Sequence, residues 1–422
     1  MNDCCLCKSK KVKVLLDLQD QPVCNRFLKA KAEANKEYKH SLGIAQCQSC
    51  GLVQLASQFP LSKILPAHSW MVRYAEPEEH LDALAKKIAK LEGLSKESKI
   101  CGISFKDDSL VQRLKAMGFS NAWRLGLQND LGITAIPAGV ESVQASFNLE
   151  NAKKIALAHG KQDVVIARHI LEHAYDISGF LNALGQLVKP NGYIVIEVPG
   201  CTQAFEQHDY TTVWEEHTAY FTPQTFKNAF SIAGFAIKSF EEVMYPLESS
   251  LIVIAQLQKK DSEAKGKTKS KIKASHIIEK KSQPKHALDK ELALAEGFAK
   301  GFSGKKHEWS EYLSTKGRIA LFGAGHLACA FINFFDLKNS VELVIDDDPN
   351  KNGLFMPGSG LPIVSSNALL EKNISLCLLS LNPRNEDKVI QKNQAFINNR
   401  GVFISIFPSS KYALKSRPRI EE

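Results

Sequence analysis

The residues best suited to chemistry stand in one run, Trp214-Glu215-Glu216-His217-Thr218-Ala219-Tyr220-Phe221-Thr222-Pro223. It follows the apolar stretch GYIVIEVPG, Gly192 to Gly200, by little more than a dozen residues. An imidazole and carboxylates in one short loop can take a proton from carbon and hold the resulting charge, because the imidazole pKa lies near neutral pH. An ordinary polar loop anchored by Tyr220 and Phe221 would also read this way. Two further candidates precede it in ARHILEHAYD. Arg168-His169 falls at a strand's carboxyl end, able to contact a bound cofactor or phosphate group, or else to form a surface ion pair. His173 closes a probable helical turn facing the same edge, as a functional group or as a satisfied core histidine.

A second chemistry lies at the start of the chain. Cys4-x-x-Cys7 and Cys47-x-x-Cys50, the latter followed by Gly51, are two knuckles, and each aims two thiolates at one point. Two such turns complete a tetrahedral zinc site, so Cys4, Cys7, Cys47 and Cys50 are the expected ligands of a structural zinc ion. Cys5 competes with Cys4 but lacks the two-residue spacing. Of the ten cysteines, Cys24, Cys101, Cys201, Cys329 and Cys377 sit singly and read as small core residues.

The elements that position these groups alternate. KICGISF, VQRLKAMGF, NAWRLGL, SVQASF, DVVIARHIL, FLNALGQLVK and GYIVIEVPG follow one another between residues 99 and 200. Strands alternating with helices predict a mainly parallel, doubly wound α/β sheet. TPQTFKNAFSIAGF is the next helix, and AIKSFEEV with SLIVIAQLQ, having no helix between them, predicts an antiparallel edge hairpin. A helical stretch from about Glu78 to Leu91 precedes this region, with apolar residues at Leu81, Leu84, Ala85, Ile88 and Leu91. From RIALFGAGHLACAFINFF the pattern restarts, through VELVIDDD, ISLCLLSL and GVFISIF. The expected units are a zinc-binding module over 1–65, a Rossmann-like domain over 66–258, a lysine-rich linker over 259–287 and a second, smaller Rossmann-like α/β domain over 288–422.

At 422 residues, two or three domains are expected. No apolar run approaches the ~18 residues of a membrane span, and the N-terminal stretch lacks the apolar core of a signal peptide. The expected setting is soluble and cytoplasmic, with no membrane partner. The net charge of +9 comes mostly from Lys259 to Lys285, which holds ten lysines against three acids; without that segment the excess falls to about +2. Nucleic-acid binding needs arginines and stacking aromatics on a folded surface, so no nucleic-acid partner is expected.

The whole order resembles S-adenosylmethionine-dependent sugar C-methyltransferases. The resemblance rests on Cys47-Gln-Ser-Cys50-Gly51-Leu52-Val53-Gln54, Gln21-Pro22 with Asn25, His173, Glu216-His217 with Tyr220-Phe221, and IDDDPNKNGLFMPGSGLPI. It implies a class I methyltransferase domain between a zinc module and an accessory Rossmann-like domain. It also implies S-adenosylmethionine as cofactor, a nucleotide-linked keto-deoxysugar as substrate and a place in deoxysugar or surface-polysaccharide synthesis. On such a substrate His217 would be the base, Glu216 would orient its ring or bind a hydroxyl, and Tyr220 would hold the enolate oxygen or simply pack.

The departures from the family are specific. Trp214 and Glu215 replace the usual Tyr and first His of the loop. In the cofactor loop, Gly102-Ile103-Ser104-Phe105-Lys106-Asp107-Asp108, only Asp107 keeps its place: Gly102 stands for the acid, and Ser104 and Asp108 stand for two glycines. No acid follows the second strand until Asp130, where one would hold the ribose hydroxyls. Either Ser104, Asp107, Asp108, Arg168, His169 and backbone hold the same cofactor differently, or a sugar-nucleotide protein without that cofactor remains. The C-terminal Gly323-Ala324-Gly325 turn, with Asp346 at the next strand end, is by itself a weak dinucleotide signal, since tight strand-to-helix turns need glycine anyway.

Overall fold

A computed structural model of the chain describes residues 3–68, 70, 76–135, 137–258 and 285–414. Most of the lysine-rich linker expectation, 259–284, lies outside the described residues, and its last three residues, 285–287, belong to a helix.

The N-terminal module is an antiparallel meander of β1 (Val12–Pro22), β2 (Lys39–Cys47) and β3 (Val53–Leu55), followed by α1 (Leu61–Ile64). The segment that follows leads through α2 (Leu81–Ile88), which buries Leu81, Leu84, Ala85 and Ile88, as their 3.6-residue spacing requires.

The central domain is a six-stranded sheet in the order β5-β4-β6-β7-β10-β9. Its chain path is β4 (Ile100–Gly102), α3 (Asp108–Ala116), β5 (Ala122–Arg124), α4 (Val140–Ser146), α5 (Leu149–His159), β6 (Gln162–Arg168), α6 (Ile177–Leu187), β7 (Val188–Gly200) and α7 (Thr202–Glu206). It continues through β8 (Ala219–Tyr220), α8 (Pro223–Ile232), β9 (Phe235–Met244) and β10 (Ser249–Leu257). Strands β4 to β7 are parallel, and β10 and β9 close the edge as the expected antiparallel hairpin.

Alternate residues of the inner strands feed opposite cores, the signature of a sheet covered on both faces. Val165, Ala167, Ile194, Ile196 and Val198 pack on one side. Val164, Ile166, Tyr193 and Val195 pack on the other, against α2 and α3. The strand expected over KICGISF is only three residues long, because Ser104 and Asp107 form a capping box that turns the chain into a 3-10 segment, Phe105–Asp107.

Two pieces of the fold were not legible in the sequence. Ala219 and Tyr220, in the loop singled out by the sequence, form β8, which pairs with β3 and so adds a fourth strand to the N-terminal module's sheet. The chain from Lys285 to Ser314 is one 30-residue helix, α9. It inserts Phe298 against Tyr210 and Phe205, with ring centroids 4.4 and 4.6 Å away.

The C-terminal domain is an all-parallel sheet in the order β13-β12-β11-β14-β15. It runs β11 (Ile319–Phe322), α10 (His326–Phe334), β12 (Leu343–Ile345), β13 (Ile363–Val364), α11 (Ala368–Glu371), β14 (Leu376–Leu379), α12 (Pro383–Lys392), α13 (Gln394–Asn398) and β15 (Val402–Ser405). One continuous core joins it to the other two units. Leu16, Ile44 and Phe59 of the module, Tyr210 and Tyr220 of the central domain, and Phe331 and Leu378 of the last domain belong to the same cluster.

Candidate active site

In parallel sheets, ligands bind beyond the carboxyl ends of the strands. A cavity of about 530 Å³ opens there. Its walls come from all three units: Asn25 of the module, Lys106, Glu141, His173 and His217 of the central domain, and Gly325 of the last.

The loop singled out by the sequence forms one wall. Thr218 stitches it to the turn after β6: its amide donates to the Glu172 carbonyl at 2.7 Å, and its hydroxyl donates to the Glu172 and Ala174 carbonyls at 3.0 and 2.7 Å. This brings the His173 and His217 rings edge to face, 4.8 Å between centroids. Trp214 lies beside His217 at 4.9 Å and stacks on His326 of the C-terminal domain at 4.4 Å. Burial, with His173 and His326 nearby, pushes the His217 pKa well below that of a free imidazole, so the ring is neutral.

The other residues of the loop divide between site and scaffold. Glu215 is an anchor: its carboxylate accepts from the Cys24 amide at 2.6 Å, and burial pushes its pKa up to about 7. Glu216 accepts from the Asn25 amide nitrogen at 3.2 Å and lies against Glu141; burial and the Glu141 and Glu215 carboxylates push its pKa well up. It does not orient the His217 ring, which corrects one role expected of it. Tyr220 is also redirected: its hydroxyl accepts from the Trp214 amide at 3.0 Å and donates to the Trp214 carbonyl at 3.2 Å, so it locks the loop instead of reaching an enolate.

Arg168 and His169 are not a surface pair. Both are buried at the end of β6, where Arg168 Nε donates to Glu197 at 2.5 Å and its Nη1 to the Lys106 carbonyl at 2.6 Å. His169 adopts a left-handed backbone, φ +47°, uncommon for a side-chain-bearing residue and often met at functional sites. Against the cost of burial, Glu197, Glu76 and Glu172 push its pKa up to about 9.

The cofactor loop is closed on itself. Asp107 is fully buried; its Oδ2 accepts from the amides of Ile103 at 2.7 Å and Ser104 at 2.8 Å, and its Oδ1 from that of Arg168 at 2.8 Å. Ser104 is fully buried too and caps the 3-10 segment by accepting from the Lys106 amide. Asp108 pairs with Arg124, the last residue of β5, at 2.6 Å. Thus Ser104, Asp107 and Asp108 hold the loop and do not line the cavity, a correction to the ligand contacts expected of them. Asp130, the one acid beyond β5, accepts from the Gly126 amide and pairs with His159, both at 2.7 Å.

The four knuckle cysteines converge, all Sγ atoms within 4.8 Å of one another, with Cys4–Cys50 at 3.6 Å and Cys7–Cys47 at 3.5 Å. A tetrahedral zinc ion with bonds near 2.3 Å holds its sulfurs about 3.8 Å apart, so the set fits the metal. Cys5 is outside the group, and its amide donates to Gln54. The five single cysteines are buried, as small core residues should be.

Three family models match successive stretches of the chain: a zinc binding domain over 4–64, a methyltransferase domain over 132–239, and a C-methyltransferase C-terminal domain over 250–408. Together the three matches span most of the chain and end in a C-methyltransferase C-terminal domain. The chain is 24% identical over 288 residues to the C-methyltransferase NovU of Streptomyces niveus, a match spanning 68% of this chain and 65% of that protein. Similar solved structures include a complex of the Haloferax volcanii Trm112 methyltransferase activator with a methyltransferase (11% identical, 44% of this chain and 92% of that one, TM-score 0.33). Another is the CurJ carbon methyltransferase (15% identical, 42% and 54%, TM-score 0.29).

Sequence reasoning missed several residues of the site. Glu172 is adjacent to His173, and Glu197 interrupts an otherwise apolar strand, IVIEVP; either oddity was visible. Glu141, Glu76 and His80 carry no local signal, since only tertiary packing buries them.

Two outcomes follow. Replacing Cys47 by Ser should release one equivalent of zinc per chain, read by elemental analysis, and loosen the β1–β3 sheet, read by circular dichroism; unchanged zinc would rule out these ligands. Asp107→Ala leaves three amides without their acceptor and should lower stability by about 3 kcal/mol, measured by denaturant unfolding. A change below about 1 kcal/mol would mean the carboxylate does not hold the loop.

Proposed function

We propose that this chain is an S-adenosylmethionine-dependent C-methyltransferase acting on a carbon beside the carbonyl of a nucleotide-linked keto-deoxysugar, with a structural zinc ion in its N-terminal module. The observation that carries this reading is a neutral, half-buried His217 facing His173 at the sheet's carboxyl edge, in a chain matched by the three domain models. The proposed setting is the cytoplasm. Among the described residues, no helix is long and apolar enough to cross a membrane.

The cavity suits the charged half of the cofactor. Glu76, Glu172 and Glu248 line it, and Glu172 Oε2 is buried without a hydrogen-bond partner. Such an acidic wall favours a sulfonium and an ammonium group. Lys106, paired with Glu76, lines the same wall. The ribose side differs from the usual arrangement, since Arg124 ends β5 and Asp130 is committed elsewhere. When bound, the cofactor supplies an electrophilic methyl group. The chain's residues do the rest: His217 takes the proton from the substrate carbon, and His173 and Trp214 fix its ring. The three-unit wall excludes water from the carbanion. The Gly323–Gly325 turn, Asp346, Lys351 and Asn382 line the far end of the same cavity, where a nucleotide diphosphate has room.

One observation favours a second reading, a sugar-nucleotide-binding protein of other or no chemistry: the loop amides that would face the methionine are consumed by Asp107. Calorimetry with S-adenosylmethionine and S-adenosylhomocysteine separates the two. Micromolar binding is expected; no binding of either, with sugar nucleotides present, would leave the second reading.

His217→Ala should lower the rate of solvent-deuterium incorporation into the keto-sugar about 10²- to 10⁴-fold. Because the His217 pKa is depressed, its base form persists into acid. The exchange rate should stay level as pH falls through about 6.5, where a free imidazole would protonate; a drop at that pH would assign the base elsewhere.

A further inference from the structure

Beside His217, the cavity holds a group of side chains of which the mechanism above uses only His173, and that only as a ring contact. Glu141, His173 and Glu216 each offer a ligand atom, all within 4.8 Å of one another, and the three residues are 5%, 7% and 9% exposed. They come from three separate places: the first turn of α4, the turn after β6, and the loop before β8. The partners of the two carboxylates are the His173 ring, the Asn25 amide and each other, none a fixed positive charge. Buried carboxylates so placed need a proton or a cation to balance them.

The geometry distinguishes these. His173 Nδ1 lies 3.2 Å from Glu141 Oε1, yet the two atoms are not aligned as a hydrogen bond, and Nδ1 is buried with no hydrogen-bond partner. Two lone pairs set side by side at this separation are the arrangement of neighbouring ligands on one ion: bonds of about 2.1 Å at 90–110° put ligand atoms about 3.0–3.4 Å apart. Glu172 Oε1 stands 3.9 Å beyond the other ring nitrogen, the side from which a second carboxylate orients a ligating imidazole. Glu141, His173 and Glu216 all border the cavity, so positions on an ion held there would face a ligand.

We propose that Glu141, His173 and Glu216 bind a divalent first-row cation in the floor of the active cavity, distinct from the cysteine site. Two carboxylate oxygens and one imidazole nitrogen suit Mn²⁺, Fe²⁺ or Zn²⁺ better than Mg²⁺. Its role rests on the reading above: it polarises the substrate carbonyl while His217 removes the neighbouring proton. The C–H electron pair becomes the new C=C bond, the C=O π pair moves to oxygen, and the proton resides on His217.

Binding of the ion is tested without substrate or methyl donor, so its failure is separable from failure of the methyltransferase reading. The full chain, with its cysteine zinc in place, is titrated with Mn²⁺ and followed by electron paramagnetic resonance. One Mn²⁺ per chain is expected, with nitrogen hyperfine coupling from His173. His173→Ala and Glu216→Gln should each weaken binding at least about a hundredfold, with zinc content and circular dichroism unchanged. If a variant loses its zinc or its fold, the nitrogen coupling in the unaltered protein decides. Absence of bound Mn²⁺, binding without nitrogen coupling, or binding that both folded variants retain would overturn the proposal; the carboxylate pair would then share a proton.

Discussion

The site depends on one residue's three hydrogen bonds. Thr218 donates twice from its hydroxyl and once from its amide to the carbonyls of Glu172 and Ala174. Its own carbonyl accepts from Leu55 of the zinc module at 3.0 Å. A single position thus ties the end of β6, the loop before β8 and the N-terminal sheet together. His173 and His217 meet because of it, although 44 residues separate them in sequence. The pairing of β8 with β3 extends the tie. The module is therefore part of the cavity wall, and its sheet sets where the loop sits.

Charge, more than shape, organises the floor of the cavity. Glu197 lies at its base, where Arg168, His80 and His169 hold its pKa well down despite full burial. Its carboxylate lies within ion-pair distance of all three, which offsets part of the cost of burying it. On the other side of the cavity the balance fails. Glu141, Glu172 and Glu216 have only histidines and an amide near them.

Much of this was legible in the sequence. Two CxxC pairs can hardly be spaced so without meeting, and the strand–helix alternation permits few topologies besides a parallel sheet. The loop around His217 could be placed at the sheet edge from the apolar run before it. The roles of its neighbours could not. Tyr220 and Glu215 look like reactive groups in one dimension, but Trp214 and Cys24 backbone groups consume their polar atoms. Glu141 is invisible in the sequence for the opposite reason. It sits in a short helix with valine neighbours and reaches the cavity only because α4 packs against the 171–173 turn. Arg168 at a strand end suggests a ligand contact until Glu197, an unusual acid inside β7, is seen to claim it.

The departures in the cofactor loop form one coupled change. A Cβ added at Gly102 would lie 2.8 Å from the Asp107 Cβ and 3.4 Å from its Oδ2. An acid at position 102, as in the family, and an Asp107 turned inward are therefore mutually exclusive. Once position 102 is glycine, Asp107 can fold beneath the loop and take the amides of residues 103, 104 and 168. With its amides satisfied internally, the loop no longer needs glycine to bring bare backbone close to a ligand. Ser104 is then free to act as a cap, and Asp108 to pair with Arg124. The side chains of Phe105 and Lys106 are left to form the wall. Three substitutions that look like scattered losses in sequence follow, in the fold, from the placement of one carboxylate.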